Sequence, residues 1–318
     1  MQTFGSLHST AQKEIKKEVC IMLANGLGYK KIIKKLKEKE ISISKGTLYY
    51  WCNKETQRFR KNSFTPIPTK ELSYFIGVMF GDGCATRDEI NYDYSLRLDS
   101  IDKEFVEKFA FCISKLLKKE NVYPVHKCKH IFSANIRSKE LYEFVNEIKT
   151  DFNKAKPLIE ENPTEFIQGL ADSEGCPSIS ANSFFYISIV VANSTNYPLL
   201  KYAQTLLANC FGIDSKIRKT KFIGMTDSII ENRLIKRTKD LFILKINKFE
   251  DVKKYSNKIN FSIIRKHQKL NDGVKIKELF NKNEQQKEWK KIYLKDPKQW
   301  KKISTTTPSP GFGPGSHP

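Results

Sequence analysis

Two apolar segments of the sequence each end in an acidic residue followed by glycine. Asp82 closes the segment 72–83 in this way, and Glu174 closes the segment 164–175. In both segments the acid follows the first glycine by five residues. A pair of carboxylates is a suitable ligand set for a hard divalent cation, and such a cation can promote hydrolysis of phosphodiesters. We therefore predict that Asp82 and Glu174 are catalytic residues and metal ligands.

Small residues at four-residue spacing predict how the two acids come together. Gly77 and Gly81 precede Asp82, and Gly169 and Ser173 precede Glu174. Residues four apart share one face of a helix, and two such faces let helix backbones approach closely. If the two helices pack side by side and parallel, both acids emerge at the same point. The glycine after each acid is expected to form the left-handed turn that ends its helix.

The segments belong to a repeat that covers residues 71–272. The two acids are 92 positions apart, and the elements around them follow in the same order. Each unit continues with a strand-like run, an amphipathic helix and two further strand-like runs. The strand-like runs are 94–99, 122–129 and 131–137 in the first unit, and 185–193, 213–219 and 241–247 in the second. This pattern predicts two pseudo-symmetric α/β halves.

Residues 1–61 form a separate, strongly basic segment with apolar residues at helical spacing. Three short helices with a break before the last are typical of a helix-turn-helix unit, like those of resolvases and transposases. Its third helix would present a cation, a hydroxyl and aromatic rings to the major groove. These predicted DNA-binding residues are Lys45, Thr47, Tyr49 and Tyr50. A helical hairpin that serves only packing or protein contacts is the alternative.

The predicted domain organisation follows from these patterns. We expect a helix-turn-helix-like domain at 1–61, a proline-containing linker at 62–70, repeat 1 at 71–156, repeat 2 at 157–272, and a basic extension at 273–318. The extension is expected to be a ragged helix followed by a disordered end, because it is polar and closes in a segment rich in Pro, Gly, Ser and Thr.

The charge balance points to a polyanionic partner. The chain has 56 Lys and Arg against 35 Asp and Glu, a net charge of +21. Displacement of the counterions around a polyanion favours binding of such a protein. A lysine-rich surface with no dedicated partner is the alternative.

The remaining composition excludes several other classes. Seven cysteines occur without a Cys-x-x-Cys pair, so a disulfide framework or a zinc site is not expected. There is no apolar run of membrane-spanning length and no signal-peptide pattern. We expect a soluble intracellular protein, in the cytoplasm and nucleoid or in an organelle matrix, with no membrane partner.

The sequence resembles the LAGLIDADG homing endonucleases, in particular those that carry both motifs in one chain. The two motifs are Phe75-Ile-Gly-Val-Met-Phe-Gly-Asp-Gly83 and Phe166-Ile-Gln-Gly-Leu-Ala-Asp-Ser-Glu-Gly175. Leu206-Leu207 followed by Phe211-Gly-Ile213 is similar to the family's step into a strand. Ile259-Asn-Phe261 followed by Arg265-Lys266 is similar to its closing element.

The resemblance implies an α+β fold of two αββαββα repeats that form a DNA-binding saddle. It implies a monomer that cuts both strands of a long, asymmetric double-stranded site in a staggered manner, with Mg²⁺ or Mn²⁺ held by Asp82 and Glu174. Alternate strand positions would face the DNA. These positions are Arg97, Lys127, Lys129, Asn135 and Arg137 in repeat 1, and Asn193, Lys216, Arg218 and Lys245 in repeat 2.

The sequence also departs from the family pattern. A Lys or Gln often accompanies each acid, but Pro177 stands three residues after Glu174, and Ser100 and Ile101 follow the first long strand. Either a lysine from another strand fills this role or activity is reduced. Asp172, two residues before Glu174, should point away from the site because a helical turn holds 3.6 residues. Without intein splicing residues, we expect a free-standing or intron-encoded enzyme.

Three other functions remain open at this point. The same fold could serve a catalytically weak or inactive DNA-binding regulator, although such proteins usually lack the motif acids. It could also serve a maturase that binds intron RNA and assists splicing. A recombinase or transposase would suit the N-terminal segment, but the sequence shows no third acid or nucleophile in the order that such an enzyme requires.

Overall fold

The computed structural model describes residues 2–24, 26–49, 64–88, 93–230, 233–296 and 299–303. The chain divides into two compact units, residues 1–63 and 64–318. Each unit has its own cluster of buried apolar side chains.

The N-terminal unit contains helix α1 (Ser9–Ala24), helix α2 (Tyr29–Glu38) and a helical stretch at 45–49. Its core is formed by side chains from all three and by Ile43, which precedes the third: Ile15, Val19, Met22, Ile32, Leu36, Ile43 and Leu48. Ser44 caps the third helical stretch, since its Oγ accepts from the backbone N–H of Thr47 at 3.0 Å. Between α2 and this stretch, strand β2 (Ile41–Ser42) pairs in parallel with β1 (Gln2–Thr3), so the connection is longer than the predicted tight break.

The larger unit begins with repeat 1, whose strands form one antiparallel sheet in the order β3-β4-β6-β5. Thr69 caps the first helix through its side chain. The elements in chain order are α3 (Lys70–Met79), β3 (Cys84–Asp88), β4 (Asp93–Ser100), α4 (Lys103–Leu116), β5 (His126–Cys128), β6 (Ile131–Arg137) and α5 (Lys139–Thr150).

Repeat 2 forms a second sheet in the order β7-β8-β12-β9. A hairpin, β10–β11, interrupts the connection between β9 and β12. The elements are α6 (Lys156–Ile159), α7 (Pro163–Glu174), β7 (Cys176–Ala181), β8 (Phe185–Ser194), α8 (Tyr197–Phe211), β9 (Lys216–Lys221), β10 (Thr226–Ile230), β11 (Arg233–Lys236), β12 (Leu241–Ile246) and α9 (Phe249–Lys258).

The two sheets are topologically equivalent, since their strands correspond one to one when β10 and β11 are set aside. This arrangement confirms the predicted α+β fold of two αββαββα repeats. Residue patterns alone missed the strand that directly follows each acid, β3 and β7. In β3 almost every side chain is exposed, so the strand lacks the alternation of apolar and polar residues that predicts a half-buried strand.

Helices α3 and α7 pack against each other through their small residues. A Cβ added to Gly77 would collide with the backbone of Phe166 and Leu170, and one added to Gly81 would collide with Ser173. On the other helix, a Cβ on Gly169 would collide with the backbone of Tyr74. Residues later in α3 therefore contact residues later in α7, so the two helices run parallel.

The prediction that the glycines after the acids take a left-handed conformation is wrong. Gly175 has φ −98° and ψ 165°, which is extended backbone, and the φ of Gly83 also lies outside the left-handed region. Close approach explains both glycines instead. A Cβ on Gly175 would lie 2.6 Å from the carbonyl oxygen of Val191, and one on Gly83 would lie 2.9 Å from the Cα of Met79.

Among the described residues from 273 to 303, the C-terminal extension forms regular elements, which differs from the ragged helix that composition predicts. They are the end of helix α10 (Ile264–Leu279), which begins within predicted repeat 2, then helix α11 (Lys282–Ile292) and the hairpin of β13 (Tyr293–Asp296) and β14 (Gln299–Lys302). Trp289 is fully buried, with its ring stacked on Tyr293 at 4.0 Å and 5.7 Å from Phe185 of β8. One large aromatic residue thus anchors a polar segment on repeat 2. Residues 304–318, the predicted disordered end, lie outside the described residues.

Candidate functional site

The two motif acids lie at the C-terminal ends of the paired helices α3 and α7. Glu174 is the last residue of α7, and Asp82 stands in the turn just after α3. A Cβ on Gly81, the neighbour of Asp82, would lie 3.2 Å from the Cγ of Glu174. The helix pair therefore brings together two acids that are 92 positions apart in the sequence.

Each carboxyl group has a raised pKa. Burial is the main cause of the rise to about 6 in the pKa of Glu174, and the nearby Asp82 carboxylate raises it further. Burial also raises the pKa of Asp82. Both effects disfavour two negative charges at this point unless a positive charge is also present.

Lys266 supplies a positive charge at this point. It lies in the first turn of α10 and is buried, and its Nζ donates to the carbonyl oxygen of Asp172 at 2.5 Å. Its charge lowers the pKa of both Asp82 and Glu174. Burial in turn lowers the pKa of Lys266 itself. Lys266 comes from helix α10, whereas the sequence had pointed to a lysine from another strand.

A second lysine stands on the repeat 1 side. Lys149, in the last turn of α5, donates through Nζ to the carbonyl oxygen of Gly83 at 3.4 Å. Lys149 is exposed by its surface area, but burial lowers its pKa. Neither lysine was singled out as a site residue from the sequence. The pair Arg265-Lys266 belongs to the closing element that resembles the family, and this resemblance was the feature of the sequence that could have indicated Lys266.

Asp172 points away from the acids, as the helical spacing predicts. Its Oδ2 accepts from Tyr74 Oη at 2.8 Å and from the Ser262 hydroxyl, and its Oδ1 accepts from the Ser262 backbone N–H at 2.9 Å. Burial raises the pKa of Asp172. The residue therefore fastens the segment before α10 to the helix pair, which helps to hold Lys266 in place.

The positions where the sequence departs from the family pattern carry no charge in the fold. Pro177 is buried on the helix side of β7, in register with Ile189. The Oγ of Ser100 accepts from the backbone N–H of Asp102 at 3.2 Å, and Ile101 is 60% exposed. Lys266 acts on both acids, and Lys149 lies against the backbone of Gly83, the residue after Asp82.

The two carboxylates fit a hard divalent cation. Within the described ranges no three His, Cys, Asp or Glu side chains gather as a metal-binding group, so Asp82 and Glu174 would be the protein's carboxylate ligands. Magnesium commonly keeps several waters and takes one or two carboxylates together with substrate phosphate oxygens. The raised pKa values of both acids show that a cation would stabilise their ionised forms.

Three of the predicted DNA-binding residues of repeat 1 lie on the sheet face opposite the helices. Leu96, Leu98, Ala134 and Ile136 are buried on the helix side. The alternating positions Arg97, Asn135 and Arg137 are exposed, and Arg97 is in register with Asn135. Arg97 pairs with Asp99 at 2.8 Å and Arg137 with Asp93 at 3.0 Å. Both arginines are therefore held in place on an open face.

The structure places Lys127 and Lys129 differently. Lys127 is in register with Phe132, which belongs to the positions of β6 that face the helices. The Nζ of Lys127 lies 5.6 Å from the centre of the Phe132 ring. The prediction that Lys127 shares a face with Arg97 and Asn135 is wrong, because the register of β5 against β6 decides the face. Lys129 has φ +55° and stands in the turn between these strands. Both lysines are exposed.

The four predicted DNA-binding residues of repeat 2 share the corresponding face of their sheet. Leu244 and Ile246 are buried on the helix side of β12. The intervening Ile243 is in register with Asn193 and Arg218, and Lys245 is in register with Lys216. The Oδ1 atom of Asn193 is covered and accepts no hydrogen bond from the described residues. Lys216 and Arg218 are exposed.

In the N-terminal unit, the third helical stretch carries three of the four predicted DNA-binding residues. Lys45 and Tyr49 are exposed, and the Tyr49 ring lies 6.5 Å from that of Tyr29. Thr47 is half-buried, with its hydroxyl 2.8 Å from that of Ser44. Tyr50 lies outside the described residues.

Comparisons with known proteins identify the family. A family model described as a LAGLIDADG-like domain matches residues 161–260. An uncharacterized protein of Methanocaldococcus jannaschii is 30% identical over 246 residues, which cover 76% of this chain and 86% of that protein. The chain belongs to the LAGLIDADG family.

Several solved structures resemble the model. The crystal structure of I-DmoI in complex with DNA and Mn has 16% sequence identity and a TM-score of 0.39, and the match covers 60% of this chain and 96% of that chain. The LAGLIDADG meganuclease I-AabMI, bound to uncleaved DNA, has 16% identity and a TM-score of 0.40, with 65% and 90% covered.

One further finding concerns membranes. None of the helices in the described part of the chain combines the length and the apolar character that crossing a bilayer requires.

Proposed function

We propose that this protein is a site-specific endonuclease that hydrolyses phosphodiester bonds on both strands of double-stranded DNA with a divalent metal, Mg²⁺ or Mn²⁺. One observation carries the proposal: two pseudo-symmetric repeats deliver Asp82 and Glu174 to the same point, beside Lys266. Two carboxylates with raised pKa values at one helix junction are typical of a functional site.

In the proposed mechanism, Asp82 and Glu174 would hold the metal through their carboxylate oxygens. Metal binding there would supply Lewis-acid polarisation of the scissile phosphate and a lower pKa for the attacking water. Lys266 favours the ionised forms of both acids, because its charge lowers their pKa values. Its hydrogen bond to the carbonyl oxygen of Asp172 holds the ammonium group at the end of α7, where the helix dipole is negative.

The two sheets would supply the DNA surface. The face opposite the helices carries Arg97, Asn135 and Arg137 in repeat 1, and Lys216, Arg218 and Lys245 in repeat 2. These residues differ between the repeats, so the proposed DNA site is long and asymmetric. The N-terminal unit, through Lys45 and Tyr49, is proposed as an additional DNA contact.

We further propose that the protein acts as a monomer, because one chain supplies both acids. The predicted boundaries at residues 61, 70, 156 and 272 remain proposals. The observed α10 extends from 264 to 279 and therefore crosses the last of them.

The test is cleavage of a library of DNA duplexes with long randomised sites, in buffer with Mg²⁺ and in buffer with EDTA. The native chain is expected to cut both strands of a few sequences only when Mg²⁺ is present. An Asp82→Asn/Glu174→Gln double variant should bind the same sequences without cutting them. Glu143→Gln, which removes an exposed acid on α5, is the matched control and should cut normally.

Selective binding to duplexes without cutting under any divalent metal would refute the endonuclease proposal. The protein would then be a DNA-binding regulator on the same fold. Stronger selection of structured RNA than of duplex DNA would instead support a maturase.

A further inference from the structure

A cavity of about 670 Å³ lies beside Glu174, outside the pair of acids. Strand β7, which begins two residues after Glu174, forms one wall through Cys176 and Pro177. Helix α10 forms a second wall, and the hairpin β13–β14 forms a third through Tyr293 and Trp300. The cavity therefore exists because the C-terminal extension folds onto repeat 2.

The lining of this cavity is strongly basic. It contains the five cations Arg265, Lys266, Lys269, Lys301 and Lys302, and no acidic residue. Such a concave, single-sign surface concentrates an anionic ligand. Its volume falls within the range of about 300–1,000 Å³ that is usual for ligand sites.

Four of these cations are already engaged, Lys301 among them. Arg265 donates to both carboxylate oxygens of Asp102, at 2.6 and 2.7 Å. Lys302 pairs with Asp272 at 3.0 Å. Lys266 donates to backbone carbonyls at the end of α7.

Lys269 differs from them. It is half-buried on α10, and it makes no hydrogen bond or ion pair with any described residue. Burial lowers the pKa of Lys269, and the nearby Arg265 lowers it further. An ammonium group that is partly removed from water without a partner is costly, so an anionic ligand would be stabilising here.

We propose that this cavity binds one backbone phosphate of the DNA strand on the Glu174 side of the site, with Lys269 as its principal contact. The proposal rests on the proposed function in that it takes the polyanion to be nucleic acid. The cavity is lined by Cys176, two residues after Glu174, and by Lys266, whose charge acts on both acids, so the bound phosphate would neighbour the one that lies over the acids. The contact would position the strand without reading its sequence.

The experiment compares two lysines on one helix. Lys269→Gln removes the cavity charge, and Lys275→Gln removes an exposed charge elsewhere on α10. Duplex binding is measured by fluorescence anisotropy at several salt concentrations, with Ca²⁺ in place of Mg²⁺ and with several unrelated duplexes. Lys269→Arg is included to test whether restoring a cation restores binding.

Lys269→Gln is expected to weaken binding by a similar factor for every duplex and to reduce the salt slope, d log K/d log[salt], by about 1. Lys275→Gln should leave both quantities close to those of the native chain, and Lys269→Arg should recover most of the loss. Equal behaviour of Lys269→Gln and Lys275→Gln would overturn the proposal. Binding of a free deoxynucleoside monophosphate that requires Lys269, with duplex affinity unchanged, would also overturn it.

The two proposals fail in different ways. A native chain that binds duplexes through Lys269 but never cuts would refute the endonuclease and leave the phosphate site standing. A native chain that cuts while Lys269→Gln and Lys275→Gln bind alike would refute the phosphate site alone. A native chain that binds no duplex would refute both.

Discussion

Repeat 1 and repeat 2 share one topology but surround their acids differently. Asp82 is exposed in a turn beyond α3, whereas Glu174 is half-buried as the last residue of α7. Lys266, in the first turn of α10, affects the pKa of both acids, while the hydrogen bond of Lys149 in repeat 1 is to the backbone of Gly83. The repeats therefore explain why the acids meet, and α10 explains why their surroundings differ.

The sheets differ in a second respect. The strands β5 and β6 of repeat 1 are joined by a turn at 129–130, whereas β9 and β12 of repeat 2 are separated by the β10–β11 hairpin. This connection exposes the apolar residues Phe222, Ile223 and Leu234. The two sheets have the same strand order but expose different side chains and connections, which suits an asymmetric DNA site.

The largest effect should come from the acids themselves. Asp82→Asn and Glu174→Gln, made singly, are each expected to lower the rate of double-strand cutting by about 10²–10³-fold, the range found when one charged or polar group is removed from a catalytic centre. Duplexes labelled on one strand or the other would measure each nick separately. Retention of full activity by either variant would show that the two repeats do not contribute equally to one site.

The attachment of the extension to repeat 2 predicts a large effect on stability. Trp289→Ala should lower the free energy of unfolding by about 3 kcal/mol, because it removes a fully buried aromatic side chain. Urea unfolding measures the change, with Trp300→Ala, at a half-buried ring, as the control of smaller effect. An unchanged unfolding curve for Trp289→Ala would mean that residues 273–303 do not pack on repeat 2.

The two lysines should have unequal effects on the pH dependence of cutting. The acids must be ionised to hold metal, so we expect activity to fall as the pH falls through about 6, the pKa of Glu174. Lys266→Met removes a charge that lowers both pKa values, and should move the midpoint of this fall upward by about one pH unit. Lys149→Met should not move it. Equal shifts in pH–rate profiles of the two variants would contradict the difference between the repeats.

The smallest predicted effect is a difference in DNA affinity between variants of the two sheet surfaces. Arg218 has no ion pair among the described residues, whereas Arg97 is paired with Asp99 at 2.8 Å. Loss of a free cation should weaken DNA binding more, so Arg218→Gln is expected to cost about 1 kcal/mol and Arg97→Gln less than half of this value. Anisotropy titrations at one salt concentration would measure both, and the reverse order would argue that repeat 1 makes the closer contact.

The sequence predicted the central helix pair better than the faces of the outer strands. The spacing of Gly77, Gly81, Gly169 and Ser173 is local information, and it indicated the helix pair and the meeting of the acids. The face of Lys127 depends on the register of β5 against β6, which composition along one strand does not contain.

Lys266 and the extension were missed for a related reason. Lys266 reaches the acids only because Asp172 fastens the segment around Ser262 to the helix pair. Trp289 is a single buried ring in a segment that is otherwise polar, so periodicity did not indicate its packing. Both features depend on contacts between positions about 90–105 apart in the chain. A pattern read along a short segment does not reveal such contacts.

The most direct test of the account is the pKa of the Glu174 carboxyl group in the metal-free protein. It can be followed by NMR of carboxyl carbons in protein with ¹³C-labelled glutamate, with Glu174→Gln to assign the signal. The account predicts a pKa of about 6 in the native chain, and a lower pKa in Asp82→Asn that still exceeds the ordinary value because burial remains. A pKa of Glu174 that Asp82→Asn leaves unchanged would contradict the claim that the two repeats bring their acids to one site.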